Sequence, residues 1–388
     1  MRNPFTPGAG YPPPHLAGRE VVLEAFARHL DRSTSIPKHL VLSGLRGTGK
    51  TVLLREFQRI CNASGWLCVQ RELDEAENDT GVMLSAVSAD LVRAATAASL
   101  AIRLTRAGRR AVNILKPKQI GALGVTYSPA YGSEAPQLFR DQLAELLDRL
   151  APTLTRAHKG LVLLYDEFQE VWDGRRRHQA PLAMFLGAVK QAQLAGLPLV
   201  VVACGLPPVI GNIVRSRSYL ERDLSAELIG SLLPKEAQAA INRPLEHTDV
   251  SFTPELVGKI VEDTRGYPYF LQYYSWFLLD SLPEQRLFDV EMLDSLRPLL
   301  LANLDGSFFR GRFIKLPTVE RAALVAIAQV GEHARIGDIP WRGQPALLRA
   351  SVSRLVDRGQ LYRPTLRGEV AFSLPLYRDF LLRHGSSI

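Results

Sequence analysis

The stretch Gly44-Leu45-Arg46-Gly47-Thr48-Gly49-Lys50-Thr51 decides how this chain is read. It fits the pattern G-x-x-x-x-G-K-[ST] at every position. His39-Leu40-Val41-Leu42-Ser43 precedes it, a short apolar run that predicts a buried strand. Val52-Leu53-Leu54-Arg55-Glu56-Phe57 follows and predicts the first turns of a helix. Strand, glycine-rich loop and helix in that order are the context a phosphate-binding loop requires. Glycines let backbone N–H groups close around phosphate oxygens, and a helix N-terminus favours negative charge. Lys50 would bring a point charge to the β- and γ-phosphates of a nucleotide, and the Thr51 hydroxyl could ligate Mg²⁺. The plain alternative is a glycine-rich turn between strand and helix, which the flanks argue against.

Working outward, Leu161-Val162-Leu163-Leu164-Tyr165-Asp166-Glu167 is an apolar strand that ends in two acids. Ligands of open parallel sheets bind beyond the carboxyl ends of the strands. Asp166 would hold Mg²⁺, directly or through water, and Glu167 would polarise an attacking water. Two acids there favour hydrolysis over transfer to another substrate. Trp66–Gln70 and Leu199–Cys204 read as further buried strands, and residues 83–107 and Phe139–Leu150 as helices. Continuous apolar strands alternating with helices predict an α/β fold with a parallel sheet covered on both faces.

The remainder is organised around that core. Residues 1–15 are a Pro- and Gly-rich lead without a core of their own, and the phosphate-loop core is expected over 16–230. Beyond residue 231 the pattern turns helical (234–245, 254–264, 268–281), which suggests a lid over 231–315. From 316 to 388 a helix (317–330), a second helix (345–358) and two short strands (361–363, 370–373) make a winged-helix pattern. Arg349, Arg354 and Arg358 fall off the apolar face of its second helix, and Arg363 and Arg367 lie on the wing, so all five are candidate DNA contacts. Winged helices also bind proteins, and Trp341 with the nearby leucines would suit that use.

The net charge is +8, and the excess is local. Residues 91–133 hold seven Lys/Arg (Arg93, Arg103, Arg106, Arg109, Arg110, Lys116, Lys118) and no acid, while forty basic and 39 acidic residues share the rest. This insert, read as irregular or a hairpin over 112–132, would attract a polyanion or be merely a solvated face. Arg175-Arg176-Arg177-His178 is read as solvated rather than as a phosphate contact. No apolar run reaches membrane-span length and no signal peptide is evident, so a cytoplasmic protein without integral membrane association is expected. Cys61, Cys68 and Cys204 lack metal-site spacing and are expected to be reduced thiols.

Four motifs in order resemble the P-loop ATPases of the AAA+/STAND type, close to archaeal-type ATPases and origin-recognition initiators. Leu16-Ala17-Gly18-Arg19-Glu20 resembles the box that lies against the nucleotide base, which implies a binding role for Gly18 and Arg19. Gly44–Thr51 matches Walker A, Leu163–Glu167 matches Walker B, and Gly266-Tyr267-Pro268 resembles the STAND G-x-P motif, in which the proline approaches the nucleotide. The resemblance implies ATP and Mg²⁺ as cofactors, slow hydrolysis, a homo-oligomer formed on ATP binding, and a switch that acts on duplex DNA. Two departures pull towards the STAND side, whose members signal through protein partners. The strand ending at Cys204 runs into Gly205-Leu206-Pro207-Pro208 without the polar sensor 1 residue. The lid has Pro268 where a sensor 2 arginine is common, although Arg265 is near. Arg222, and less favourably Arg217, are candidates for an arginine finger, which would otherwise be surface ion pairs.

Overall fold

The computed structural model describes residues 3–8, 10–31, 38–104, 136–174, 180–216, 222–364 and 368–385. The expected hairpin over 112–132, Arg175–His178, Arg217 and Arg367 lie outside the described residues. Two compact units make up the chain. One comprises Val21–Ser43 and Leu53–Leu228, and the other Met1–Glu20, Gly44–Val52 and Ile229–Ile388.

The first unit is organised by a five-stranded sheet. Its strands are β1 (His39–Gly44), β2 (Leu67–Glu72), β3 (Leu161–Asp166), β4 (Leu199–Gly205) and β5 (Leu224–Ile229), in the order β2-β3-β4-β1-β5. The registered pairs β2–β3, β3–β4 and β1–β4 are parallel, as the apolar runs predict. Alternate residues of a strand face opposite sides of its sheet. Leu163, Tyr165, Val201 and Ala203 join one apolar cluster, while Val162, Leu164, Val200 and Val202 are equally buried on the other side. β5 was not expected from the sequence. It is an edge strand with Leu228 80% exposed, so it lacks the apolar run that marks its neighbours.

Helices follow the strands. α1 spans Glu20–Asp31 and α2 spans Lys50–Ala63. Phe26 of α1 stacks on Phe57 of α2 with ring centroids 3.9 Å apart. α3 (Thr80–Leu104) and α4 (Pro136–Ala157) pack on each other, and α5 (Pro181–Leu194) and α6 (Pro208–Ser216) complete the layer. In α3, Met83, Val87, Leu91, Ala94 and Ala98 recur at helical spacing and are buried in the sheet's cluster. The window Thr80–Ala98 does reach membrane-span length, at a mean hydropathy of 1.2, so the reading that no apolar run is long enough is corrected. Its buried stripe accounts for the composition: α3 is a core helix.

In the second unit α7 (Pro234–Leu245), α8 (Pro254–Thr264) and α9 (Pro268–Ser281) each begin on a proline at the first helical position. There the missing N–H costs nothing and the fixed φ suits the helix. α10 (Val290–Leu304) runs into a π-turn at Asp305–Phe309 and then into the short α11 (Arg310–Ile314). The chain continues as α12 (Thr318–Val330), β8 (His333–Arg335), α13 (Pro345–Asp357), β9 (Leu361–Tyr362), β10 (Glu369–Phe372) and α14 (Tyr377–His384). β6 (Ser251–Phe252) and β7 (Leu287–Phe288) form a small pair earlier in the unit. The last three strands make an antiparallel sheet in the order β8-β10-β9.

Asp305 of the π-turn accepts hydrogen bonds from Arg383 (2.7 Å) and His384 (2.9 Å), fixing α14 to the turn. The lead is irregular but not idle. Phe5 is buried in the unit's core, and the Asn3 side-chain amide donates to the Trp276 carbonyl at 2.9 Å.

Candidate active site

The phosphate loop leaves the carboxyl end of β1. Its glycines are needed at specific places. Gly47 and Gly49 have φ of 84° and 92°, a region that strongly favours glycine. At Gly44 a Cβ would stand 2.2 Å from the Ile229 carbonyl oxygen. Within the loop the Thr48 hydroxyl donates to the Leu45 carbonyl at 2.9 Å. The Lys50 ammonium is buried and donates to the Gly44 and Leu45 carbonyls, both at 2.9 Å. The lysine is thus drawn back over its own loop, at the start of α2, with Thr51 next to it. A curled loop with a buried ammonium and glycines at positive φ fits a polyphosphate, whose oxygens would meet the N–H groups and the lysine.

Arg19 is 7% exposed, and its guanidinium donates to the carbonyls of Thr48 (3.1 Å), Gly230 and Gly18. Burial lowers its pKa. Its side chain therefore braces the back of the loop through the backbone. Gly18, at φ 67°, lets helix α7 approach: a Cβ there would meet the Glu236 carboxylate at 2.5 Å.

The G-x-P segment approaches one side of the loop at Gly47, which itself stays exposed. Gly266 has φ 66°, and a Cβ there would lie 2.3 Å from the Leu232 carbonyl oxygen, whose own N–H donates to the Gly266 carbonyl at 2.9 Å. Pro268 starts α9. The middle residue is the one that reaches the loop. A Cβ on Gly47 would meet Tyr267 Cε1 at 3.0 Å and Tyr269 Cβ at 3.3 Å. Tyr267 and Tyr269 were missed because tyrosines in an apolar helix read as core. Arg265, the neighbour considered as a sensor, is instead ion-paired with Glu332 at 3.2 Å.

In the sheet unit, Asp166 ends β3 and is buried. β3 and β1 are parallel to the intervening β4, so Asp166 and the start of the phosphate loop leave the same edge of the sheet. The Asp166 carboxylate accepts the Glu167 backbone N–H at 3.0 Å. Glu167 sits at φ 51°, one of three non-glycine residues with positive φ among the described residues. Such a conformation costs of order 1–3 kcal/mol and persists where the surroundings enforce it. Gln169 does part of that. Its amide donates to the Glu167 carboxylate at 2.6 Å and to Glu170 at 3.0 Å, while its oxygen accepts the Leu206 N–H at 2.8 Å. Gly205 makes room, since a Cβ there would stand 2.4 Å from that oxygen. The end of β4 carries no polar side chain of its own, and Gln169 reaches it from the β3 side.

Behind the acids, Tyr165 donates its hydroxyl to Asp90 at 3.1 Å, and Arg71 holds the same carboxylate through two bonds of 2.8 and 2.9 Å. Burial, first, and the Asp90 carboxylate raise the Tyr165 pKa. Arg93, the first cation of the basic insert, also pairs with Asp90.

The other expected site residues are distributed as follows. Arg222 is exposed on the turn before β5. Arg349 and Arg363 are exposed. Arg354 and Arg358 are both drawn onto Glu320 of α12, at 2.9 and 3.3 Å, so they join α13 to α12 as well as facing solvent. Cys61, Cys68 and Cys204 form no disulfide.

Residues 15–202 match the AAA ATPase domain family. Among solved structures, the chain is similar to the ORC2 protein of Aeropyrum pernix, described in complexes with ADPNP and ADP. That match has a TM-score of 0.59 and 15% identity, and covers 98% of this chain and 96% of that one. It is also similar to the Walker-type ATPase paby2304 of Pyrococcus abyssi, with a TM-score of 0.52, 15% identity and coverage of 95% and 96%. No curated protein matches the chain at a significant level. At such identities the likeness concerns the fold, and it extends over nearly the whole chain.

Proposed function

We propose, from the premise that residues 15–202 form an AAA ATPase domain and that the chain is an ATP-hydrolysing enzyme of the AAA+ type, that it is a nucleotide-dependent switch acting on duplex DNA. The observation that carries this reading is the contact on one side of the phosphate loop. Tyr267 and Tyr269 belong to the same compact unit as the C-terminal helices and their small sheet. A ligand on the loop would bind beside the segment that leads to the C-terminal domain.

In this reading Lys50 and the loop N–H groups hold the phosphates. Thr51 and Asp166 offer oxygen ligands to Mg²⁺, a hard cation that takes carboxylate, hydroxyl and phosphate oxygens, and the ion would offset charge on the transferring phosphoryl group. Glu167 orients and polarises the water. The A. pernix relative is described with ADPNP and ADP, which fits an adenine nucleotide here. Residues 316–388 act as a winged helix, with the exposed Arg349 and Arg363 among its cations towards DNA. Arg222, exposed ahead of β5, is the finger offered to a neighbouring subunit when ATP drives assembly.

A second reading has one observation in its favour. Arg354 and Arg358 are engaged by Glu320, which reduces the positive charge that α13 offers to phosphates and suits a STAND-like scaffold whose winged helix binds protein. The ATP hydrolysis rate with and without duplex DNA, at low and moderate salt, separates the two. Stimulation that fades with salt is expected for a DNA-acting switch, because cation–phosphate contacts release counterions. A rate indifferent to DNA at both salts would overturn it and favour the scaffold.

A further inference from the structure

The strand that delivers the two acids is anchored by a buried charge. Asp90 of α3 is 0% exposed. Its Oδ2 accepts the Arg71 Nε–H at 2.8 Å and the Tyr165 hydroxyl at 3.1 Å. Its Oδ1 accepts an Arg71 Nη2–H at 2.9 Å and an N–H of Arg93. Arg71 Nη2 also donates to the Ala86 carbonyl at 3.2 Å, one turn earlier in α3, and the same guanidinium lies 3.9 Å from the Glu77 carboxylate. All of these residues belong to the sheet unit.

Stability alone does not account for this network. Taking charges out of water is costly, and well-packed apolar residues of similar volume often hold a core as well as a buried ion pair does. A phenylalanine at position 165 would continue the apolar run Leu161–Leu164 and would need no partner. A bidentate guanidinium–carboxylate pair adds a fixed orientation that apolar contacts do not.

Orientation counts at this place. Arg71 is in register with Tyr165, and Glu72 with Asp166. Two residues past Arg71, the Leu73 N–H donates to the Asp166 carbonyl at 3.0 Å. Asp166 thus follows directly on a residue bonded to Asp90, and its own carbonyl is held by the segment that carries Arg71. Successive side chains of a strand face opposite sides of the sheet. The anchor on Tyr165 therefore acts on Asp166 through the backbone and not on its carboxylate. Arg93 bonds the same acid but belongs to neither strand, and its side chain is 59% exposed.

We propose that Asp90 is a positioning residue for ATP hydrolysis: through Tyr165 and Arg71 it fixes the carboxyl end of β3 and with it the place of Asp166. This rests on the reading of Asp166 as the acid that holds Mg²⁺.

The test uses the full chain without DNA, as wild type, Tyr165→Phe, Asp90→Asn, Arg93→Gln and Asp166→Asn. Four quantities are measured on each: kcat, KM for ATP, the urea unfolding midpoint, and Mn²⁺ affinity in the presence of ADP by electron paramagnetic resonance, with Mn²⁺ standing in for Mg²⁺. Tyr165→Phe removes one hydroxyl and keeps the ring. It is expected to lower kcat by about three- to tenfold and Mn²⁺ affinity by about threefold, with KM within about twofold of wild type. Asp90→Asn should show the same pattern more strongly. Arg93→Gln should stay within about twofold of wild type in kcat, KM and Mn²⁺ affinity. Unchanged kcat and Mn²⁺ affinity in Tyr165→Phe would overturn the inference. So would a joint fall of kcat, KM and unfolding midpoint in that variant, which would mark a packing role. Should Asp90→Asn fail to fold, Tyr165→Phe decides alone. If Asp166→Asn hydrolyses ATP and binds Mn²⁺ like wild type, the reading of Asp166 fails and the positioning role with it. If Asp166→Asn loses both while Tyr165→Phe keeps both, the acid's role stands and the anchor does not.

Discussion

The phosphate loop and the strand end at Asp166 are built over different distances in the sequence. Around the Glu167 carboxylate the geometry is made at short range. Gln169 lies two residues beyond Glu167 and bonds its carboxylate, and only its tie to Leu206, just past the end of β4, reaches further, over 37 positions. Around the phosphate loop it is made at long range. Arg19 braces Thr48 and Gly230, and Tyr267 approaches Gly47 from about 220 positions away. A site of the first kind is a feature of one strand end. A site of the second kind ties the loop to segments distant in the sequence. The comparison predicts that damage to the loop and damage to the strand end will separate binding from turnover.

The largest effects test that separation. Lys50→Ala removes a buried ammonium that would meet the phosphates, and nucleotide binding is expected to fall by at least about 100-fold, equivalent to about 2.7 kcal/mol. Glu167→Gln keeps the size and loses the charge. Binding should stay within about threefold while turnover falls by roughly 10² to 10⁴, the range for removing a general base. Equilibrium binding of a fluorescent nucleotide and steady-state hydrolysis on both variants measure this. Loss of binding in Glu167→Gln would break the division between loop and strand end.

A smaller effect concerns the opposite end of β1 from the loop. His39 is buried, and its Nδ1 accepts the Val201 N–H at 3.2 Å. Burial pushes its pKa down to about 4, against a smaller upward pull from Asp223. Above pH ~6.5, the ordinary histidine value, folded and unfolded chains both carry it neutral and no penalty arises. Below that, the unfolded chain takes up a proton that the folded chain refuses, so stability declines as pH falls towards 4. The contribution at pH 5 is about 2 kcal/mol. Urea unfolding of wild type and His39→Gln at pH 7 and pH 5 should show the smaller pH dependence in the variant. Equal dependence would remove His39 from the account. Because this residue lies at the amino edge of the sheet, ADP affinity at pH 7 should not change.

The same contrast explains how much could be read in advance. The loop, the acid pair and the strands around them were legible because each is written in consecutive residues: an apolar run fixes a buried strand, and glycine spacing fixes the loop. β5 was not, since an edge strand such as Leu224–Ile229 is buried only at Ile229 and carries no continuous apolar run. β8, three residues long, leaves too little pattern to detect. Tyr267 stands between a glycine and a proline and belongs to no apolar repeat. Arg354 and Arg358 were legible as cations off an apolar face, but not as partners of Glu320, which is 34 and 38 residues earlier. What escaped is consistently pairing at a distance.

Gln169 gives the smallest and sharpest test, because it is a residue whose local role should leave binding alone. Its amide holds the Glu167 carboxylate, and its oxygen ties that end of β3 to Leu206 at the end of β4. Gln169→Leu removes both bonds and is expected to lower kcat by about tenfold, or 1.4 kcal/mol, with KM within twofold. Gln169→Glu keeps an acceptor for the Leu206 N–H but sets a second carboxylate against Glu167. If the donor to Glu167 is what matters, this variant should lose kcat as the leucine does while melting closer to wild type. If only the tie to Leu206 matters, Gln169→Glu should turn over like wild type and Gln169→Leu should lose KM and kcat together. The first pattern keeps Gln169 a local device for orienting Glu167. The second would make it a relay between β3 and β4, and the contrast with the long-range loop would narrow.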